Sequence, residues 1–169
     1  SQYPSMVKVT TTTSRSMRRG ESEGNPYHFI NREKFEQMIA RGEFFEWVEF
    51  RGELYGTPKK ALDESLQKGA DVIWHIEEKG MKNIKEKVRE MYPRSVFVFL
   101  TAPTIEELEE RVKKDETKPT GRWNEPLVVW EMEQYDDCDY LVVNEKDKLD
   151  ETVEKVLAIM AAKRLEILH

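Results

Sequence analysis

Apolar residues recur at two spacings along this chain, and the change from one to the other marks out its elements. Between Asn31 and Gly42, the residues Phe35, Met38 and Ile39 fall on one helical face. Asn31 is a good N-cap and Gly42 a good terminator, so a helix is predicted to run to Arg41. Phe44 to Phe50 instead alternates apolar with acidic residues, the pattern of a half-buried strand. Arg51-Gly52 then reads as a tight turn into Glu53-Leu54-Tyr55. Met6 to Thr13 and Tyr27 to Ile30 read as strands, separated by a polar loop from Ser14 to Pro26.

Pro58 opens a helix predicted to end near Gly69. Asp71 to Ile76 reads as a strand, followed by a helix through Gly80 to Met91. Ser95 to Leu100 is almost wholly apolar, as a strand buried on both faces would be. Thr104 and Glu107 have the spacing of a capping box for the next helix. Lys113 to Asn124 is polar and reads as a mobile loop. A helix from Glu125, a strand from Asp139 to Val143 and an amphipathic helix from Leu149 follow. Helices alternating with strands from residue 59 onward imply an α/β fold, a parallel sheet flanked by helices. Phe29 to Tyr55 reads as a smaller antiparallel insertion.

Composition narrows the partners. A chain of 169 residues suits one domain, and 38% apolar residues suffice for one core. Its 27 Lys and Arg against 33 Asp and Glu give a net charge of -6, which argues against nucleic acid as the main partner. No apolar run reaches the length of a membrane span, so no membrane partner is expected. Cys138 is the single cysteine, which excludes an intrachain disulfide; with no signal-peptide pattern at the start, a reducing cytoplasm is the expected compartment.

Three stretches carry candidate chemistry. In Thr13-Ser14-Arg15-Ser16-Met17-Arg18-Arg19-Gly20-Glu21, Arg15 and Arg18 are spaced to fork onto one phosphate, with Tyr27 adding a neutral donor. Taken alone, the same residues fit a solvated basic loop. Glu46 lies on an aromatic-rich strand, where a carboxylate could accept both N1–H and the exocyclic amine of guanine; an exposed acidic side chain is the alternative. Val72 to Gly80 puts His75, Glu77 and Lys79 at the C-terminal end of a strand, where open α/β sheets place ligands. A strand-end histidine with ordinary hydrogen bonds accounts for His75 equally well.

Taken in order, these stretches resemble the guanylate kinases. That family shows Thr-Thr-Arg-x-x-Arg-x-Gly-Glu, then Gly-x-x-Tyr-x-Phe, Gly-Glu-Phe-x-Glu-Trp and Tyr-Gly-Thr. The chain matches at Thr13, Arg15, Arg18, Gly20, Glu21, Gly24, Tyr27, Phe29, Gly42, Glu43, Phe44, Glu46, Trp47, Tyr55, Gly56 and Thr57. Pro103-Thr104 and Asp139 to Asn144 resemble later landmarks. The resemblance implies a three-layer, P-loop kinase-like fold in a single domain. Its core would comprise residues 1–13, 59–112 and 125–169, with a mixed-β GMP-binding insertion at 14–58 and a helical lid at 113–124. Arg15, Arg18, Tyr27 and Tyr55 would hold the GMP phosphate; Thr11, Glu46, Thr57 and Glu77 would read guanine; Arg111 and Arg122 would brace the transferring phosphoryl group. The implied reaction moves the γ-phosphoryl group of ATP, bound with Mg²⁺, onto GMP to give GDP.

The chain also departs from the family pattern. None of its eight glycines begins the phosphate-cradling G-x-x-x-x-G-K-[ST] loop, and Gln2-Tyr3-Pro4 resembles the end of the helix that follows it. The strand preceding that loop lies mid-sheet in the family, and each buried backbone group left unpaired costs about 1–3 kcal/mol. An upstream segment is therefore expected to supply it, the alternatives being a separate complementing N-terminal segment or a rearranged sheet; the chain alone is expected to be weak or inactive as a kinase. His75 and Lys79 replace an acidic residue and a glutamine, and Asp115 and Asn124 stand near two lid arginines of the family. The alternative these departures support is a catalytically inactive guanylate-kinase-like module that binds peptides.

Overall fold

The structure is a computed structural model describing residues 6–68, 71–114 and 136–166. The chain divides into two compact units, Ser1–Ile84 and Lys85–His169.

The first unit contains two sheets. Strands β1 (Met6–Lys8) and β6 (Asp71–Ile73) form a parallel pair. Strands β2 (Thr11–Thr13), β3 (Tyr27–Phe29), β4 (Phe44–Phe50) and β5 (Glu53–Pro58) form a four-stranded sheet in the order β3-β2-β5-β4. The single strand expected over residues 6–13 is thus two strands in different sheets. Val9, fully buried, extends the first ladder by donating its N–H to the Ile73 carbonyl at 2.9 Å. Thr11–Thr13 then pairs with β3 on one side and β5 on the other.

The β4–β5 hairpin turns at Arg51 and Gly52, which both have positive φ (53° and 78°). Two successive left-handed residues match the twist of the flanking strands, and glycine takes the second without a Cβ penalty. Helix α1 (Arg32–Ala40) begins where expected, with the Asn31 carboxamide oxygen accepting the Lys34 N–H at 2.8 Å. Its buried Phe35 stacks on Phe44 at 4.3 Å, and Leu54 completes this small core with Ile30, Met38 and Ile39 at its margin. Helix α2 (Lys59–Gln67) buries Leu62 and Ser65. The β6 strand ends at Ile73 rather than Ile76, and residues 74–77 leave the ladder before helix α3 (Glu78–Met91).

The second unit holds the rest of α3, strand β7 (Val98–Thr101), helix α4 (Ile105–Lys114), strand β8 (Tyr140–Val143) and helix α5 (Leu149–Leu165). The parallel β7–β8 pair runs in register from Val98↔Tyr140 to Thr101↔Val143. The expected strand at 95–100, buried on both faces, is therefore shorter at its start and displaced toward Thr101. Its Leu100 is 57% exposed, because β7 has one pairing neighbour among the described residues. The Asp139 carboxylate fixes the start of pairing by accepting the Phe97 N–H and an Arg89 donor.

Half of the expected capping box forms. The Thr104 hydroxyl accepts the Glu107 N–H, but the Glu107 carboxylate turns to Arg111 instead of reaching back. Helix α4 runs through Lys113 and Lys114, so the first two residues of the expected loop are helical. The remainder of that expected lid, 115–124, and most of the helix expected from Glu125 lie outside the described residues.

Candidate functional site

Thr11, Tyr27, Glu46, Tyr55, His75 and Glu77 line one pocket in the first unit, over a floor of Val48, Gly56 and Ile76. Four strands and the segment after β6 supply them. Thr11 begins the central strand, Tyr27 its parallel neighbour, and Tyr55 its antiparallel neighbour. Glu46 lies on the inward row of β4 with Phe44 and Val48, while Trp47 points outward. His75 to Glu77 enter from the segment after β6.

Glu46 is 8% exposed. Its Oε1 accepts the Thr57 hydroxyl at 2.6 Å, and Thr57 in turn accepts the Trp74 Nε1–H at 2.8 Å. Burial raises the Glu46 pKa above the ordinary glutamate value; the Thr57 hydrogen bond opposes that rise, and Glu77 adds to it. Thr57 thus sits behind Glu46, and its one hydroxyl proton is already committed.

Glycine at position 80 is a steric requirement of this arrangement. A Cβ built there would lie 2.6 Å from Glu46 Oε2 and 3.5 Å from the Val48 side chain. Gly80→Ala is expected to push the carboxylate aside and, by costing a ligand about one hydrogen bond to it, to weaken binding in the pocket about tenfold. Calorimetry measures the loss, and the Gly80→Ala/Glu46→Asp double variant, with its shorter side chain, should recover part of it.

Arg15 occupies the other end of the site. It is 8% exposed, and its guanidinium carbon lies 5.2 Å from the Tyr27 ring centre and 5.3 Å from that of Phe29. Tyr27 packs edge-on against Tyr55 at 5.9 Å. Arg15 Nη1 and Nη2 donate to the two Glu21 oxygens at 2.7 and 2.6 Å, and Nη1 also donates to the Ser16 carbonyl. Three of five guanidinium N–H groups are used among the described residues. Nε–H and the outer Nη2–H remain as a side-on fork, the geometry that suits phosphate.

Glu21 is a positioning group to which sequence analysis assigned no role. The Arg15 hydrogen bonds hold its carboxyl down at about 2, and the Arg18 N–H adds to this at 2.7 Å. Tyr27 keeps its phenolic proton because burial raises its pKa, so it remains a donor. The half-buried Arg18 guanidinium makes no hydrogen bond among the described residues. His75 keeps contact with solvent, yet the protein packed around its ring, then Lys8, holds its pKa below the ordinary value. Its ring is accordingly neutral at pH 7.

Of the two arginines expected to brace the transferring group, one belongs to the second unit and the other is not among the described residues. Arg111, on α4, is held by Glu107 and by the Asn144 carbonyl at 2.8 Å. Arg122 lies outside the described residues. Trp74 and Gly80 gain their roles from contacts between distant segments, and Glu21 from the loop that returns it to Arg15. Only Glu21 had a signal in the sequence, its fixed place after Arg15 and Arg18.

Comparisons with known proteins identify the family. The family model described as guanylate kinase matches residues 1–163. The chain is 39% identical to a guanylate kinase of Carboxydothermus hydrogenoformans over 170 residues, covering 96% of the chain and 78% of the relative. It is 33% identical to a guanylate kinase of Thermotoga maritima over 167 residues, covering 96% of the chain and 76% of the relative. Among solved structures, the crystal structure of guanylate kinase from Anaplasma phagocytophilum superposes with a TM-score of 0.75 at 28% identity, over 96% of this chain and 77% of that one. The α/β, P-loop kinase-like architecture, the ordered motif run and relatives at this identity converge on one assignment: the chain belongs to the guanylate kinase family.

Proposed function

We propose that this protein binds GMP in the first-unit pocket and transfers a phosphoryl group to it from ATP, giving GDP. The observation that carries the reading is the pairing, in one unit, of a buried Glu46 carboxylate with an Arg15–Tyr27–Tyr55 cluster. A carboxylate suits the two donors on the guanine edge, and a fork with phenols suits a phosphate dianion. Thr11 and Glu77 complete the base contacts, Thr57 supports Glu46 from behind, and Arg18 adds charge at the phosphate.

Catalysis in this reading is positioning and charge stabilisation, with no covalent intermediate. Arg111 and Arg122 brace the transferring group, and a lid at 113–124 excludes water. The insertion at 14–58 is the acceptor subdomain, joined by Thr11 from the core. Mg²⁺ is expected to arrive with ATP; among the described residues no group of three or more His, Cys, Asp or Glu side chains is placed to hold a metal ion, so none is assigned that task. The donor phosphates require a cradle, and no residue of the first-unit pocket is assigned to it. A cytoplasmic compartment belongs to the same reading.

Calorimetric titration with GMP, and with AMP as control, tests the proposal. Saturable GMP binding with AMP at least about tenfold weaker is expected. Binding of neither nucleotide would sink the reading. Tight binding of a phosphopeptide without base preference would make the protein a non-catalytic interaction module instead.

A further inference from the structure

Trp74 does not line the pocket, yet it ends a hydrogen-bond chain that does. Its ring packs edge-on against Phe45 of β4, with centroids 5.4 Å apart and planes at 78°. That contact aims the indole N–H at the Thr57 hydroxyl, 2.8 Å away. Thr57 has no solvent exposure, and its hydroxyl lies 2.6 Å from Glu46 Oε1.

The chemistry of the three groups gives this chain a direction. An indole N–H can only donate, so the hydroxyl oxygen must accept from it. The single hydroxyl proton then goes to the remaining acceptor, the Glu46 carboxylate. A hydroxyl that accepts one hydrogen bond is polarised into a better donor of the next. With Oε1 tied in this way and Oε2 confined by the Gly80 backbone, the carboxylate plane has little freedom to rotate.

We propose that Trp74 is a positioning residue for guanine recognition, acting through Thr57 to fix the orientation of the Glu46 carboxylate. The inference rests on the assignment of Glu46 to the guanine edge. A fixed carboxylate plane matters most when two ligand donors must meet it together. GMP presents N1–H and the exocyclic amine side by side; IMP presents N1–H without the amine. The Trp74–Thr57–Glu46 chain therefore sets the preference for GMP over IMP as well as the affinity for GMP.

The test is calorimetric titration of the folded chain with GMP and with IMP. Trp74→Phe keeps a ring against Phe45 and removes the N–H. It is expected to weaken GMP about fivefold and IMP less than about twofold, lowering the GMP-to-IMP preference. Thr57→Val, which removes the hydroxyl, is expected to weaken GMP about tenfold or more. Because Trp74 acts through Thr57, the double variant should match Thr57→Val within about twofold. Should Trp74→Phe fail to fold, β-(3-benzothienyl)alanine at position 74 keeps the indole shape without its N–H and carries the same expectation. An unchanged GMP-to-IMP preference in the folded variant, or losses that multiply in the double variant, would overturn the relay. Failure of the unsubstituted chain to bind GMP would overturn the assignment of the pocket itself, which is a separate result.

Discussion

Glu46→Gln is expected to lower GMP affinity about a hundredfold or more while leaving the fold intact. The carboxylate offers acceptors on both oxygens, and the guanine edge offers two donors. The amide isostere turns one of those acceptors into a donor, which then faces a donor. Two charge-assisted hydrogen bonds are weakened or lost, each worth about 1.5–3 kcal/mol. IMP and AMP should lose far less, so selectivity collapses along with affinity.

The same residue gives the effect a pH signature. Burial raises the folded-state pKa of Glu46 above its ordinary value of 4.5. The folded protein therefore holds this proton more tightly than the unfolded chain does. The stability this confers is complete below pH 4.5 and is lost as pH rises through the folded-state value. Glu46→Gln removes that loss, so at neutral pH the variant should melt no lower than wild type despite its failure to bind GMP. GMP binding runs in the opposite sense with pH, because it needs the ionised carboxylate: wild-type affinity falls on acidification more steeply than the variant's, which loses only what protonation of the phosphate costs. Melting curves and titrations at pH 5 and pH 7.5 check both trends. A variant less stable than wild type at pH 7.5, with GMP affinity unchanged, would mean that Glu46 is structural.

Glu21→Gln is expected to destabilise the protein by about 2 kcal/mol and to weaken GMP about tenfold. Arg15 and Glu21 are 8% and 15% exposed, and they meet through both terminal nitrogens of the guanidinium. Removing the charge of one partner leaves a largely buried cation short of a counter-charge, which is costly. For a chain of this size the midpoint should fall by about 6 °C. The Glu21 carboxyl is held at about 2 against an ordinary 4.5, so its contribution is present above pH 4.5 and lost as pH falls from 4.5 toward 2. The variant should lack that acid-dependent loss. The weaker GMP binding follows because a released Arg15 no longer presents its side-on fork in one direction. Thermal melts across pH 2–7 and a GMP titration distinguish these effects; equal melting of variant and wild type throughout would show that the ion pair adds nothing.

Local pattern carried much of this protein. Asn31 and Gly42 bound α1 because capping depends on residues within one turn. Arg51-Gly52 makes the hairpin turn because the backbone conformation it needs is chosen by two adjacent residues. The ordered motif run from Thr13 to Thr57 was enough to place the chain beside the guanylate kinases, and five of the residues it nominated, Thr11, Tyr27, Glu46, Tyr55 and Glu77, line a single pocket.

What the local pattern could not decide was which side of an element a polar group occupies, or what lies opposite it. Alternation along β4 leaves the facing of Glu46 open; pairing with β5 turns it inward with Phe44 and Val48 and leaves Trp47 outside. The split of residues 6–13 between two sheets depends on β3, β5 and β6 arriving as partners, which no window of eight residues contains. The same holds for Trp74 with Thr57 and for Gly80 with Glu46. The sequence determined the elements and the kinds of chemistry they carry, because those depend on near neighbours. Only tertiary structure set the protonation, orientation and confinement of the site groups, because burial and hydrogen-bond partners come from segments brought together by folding.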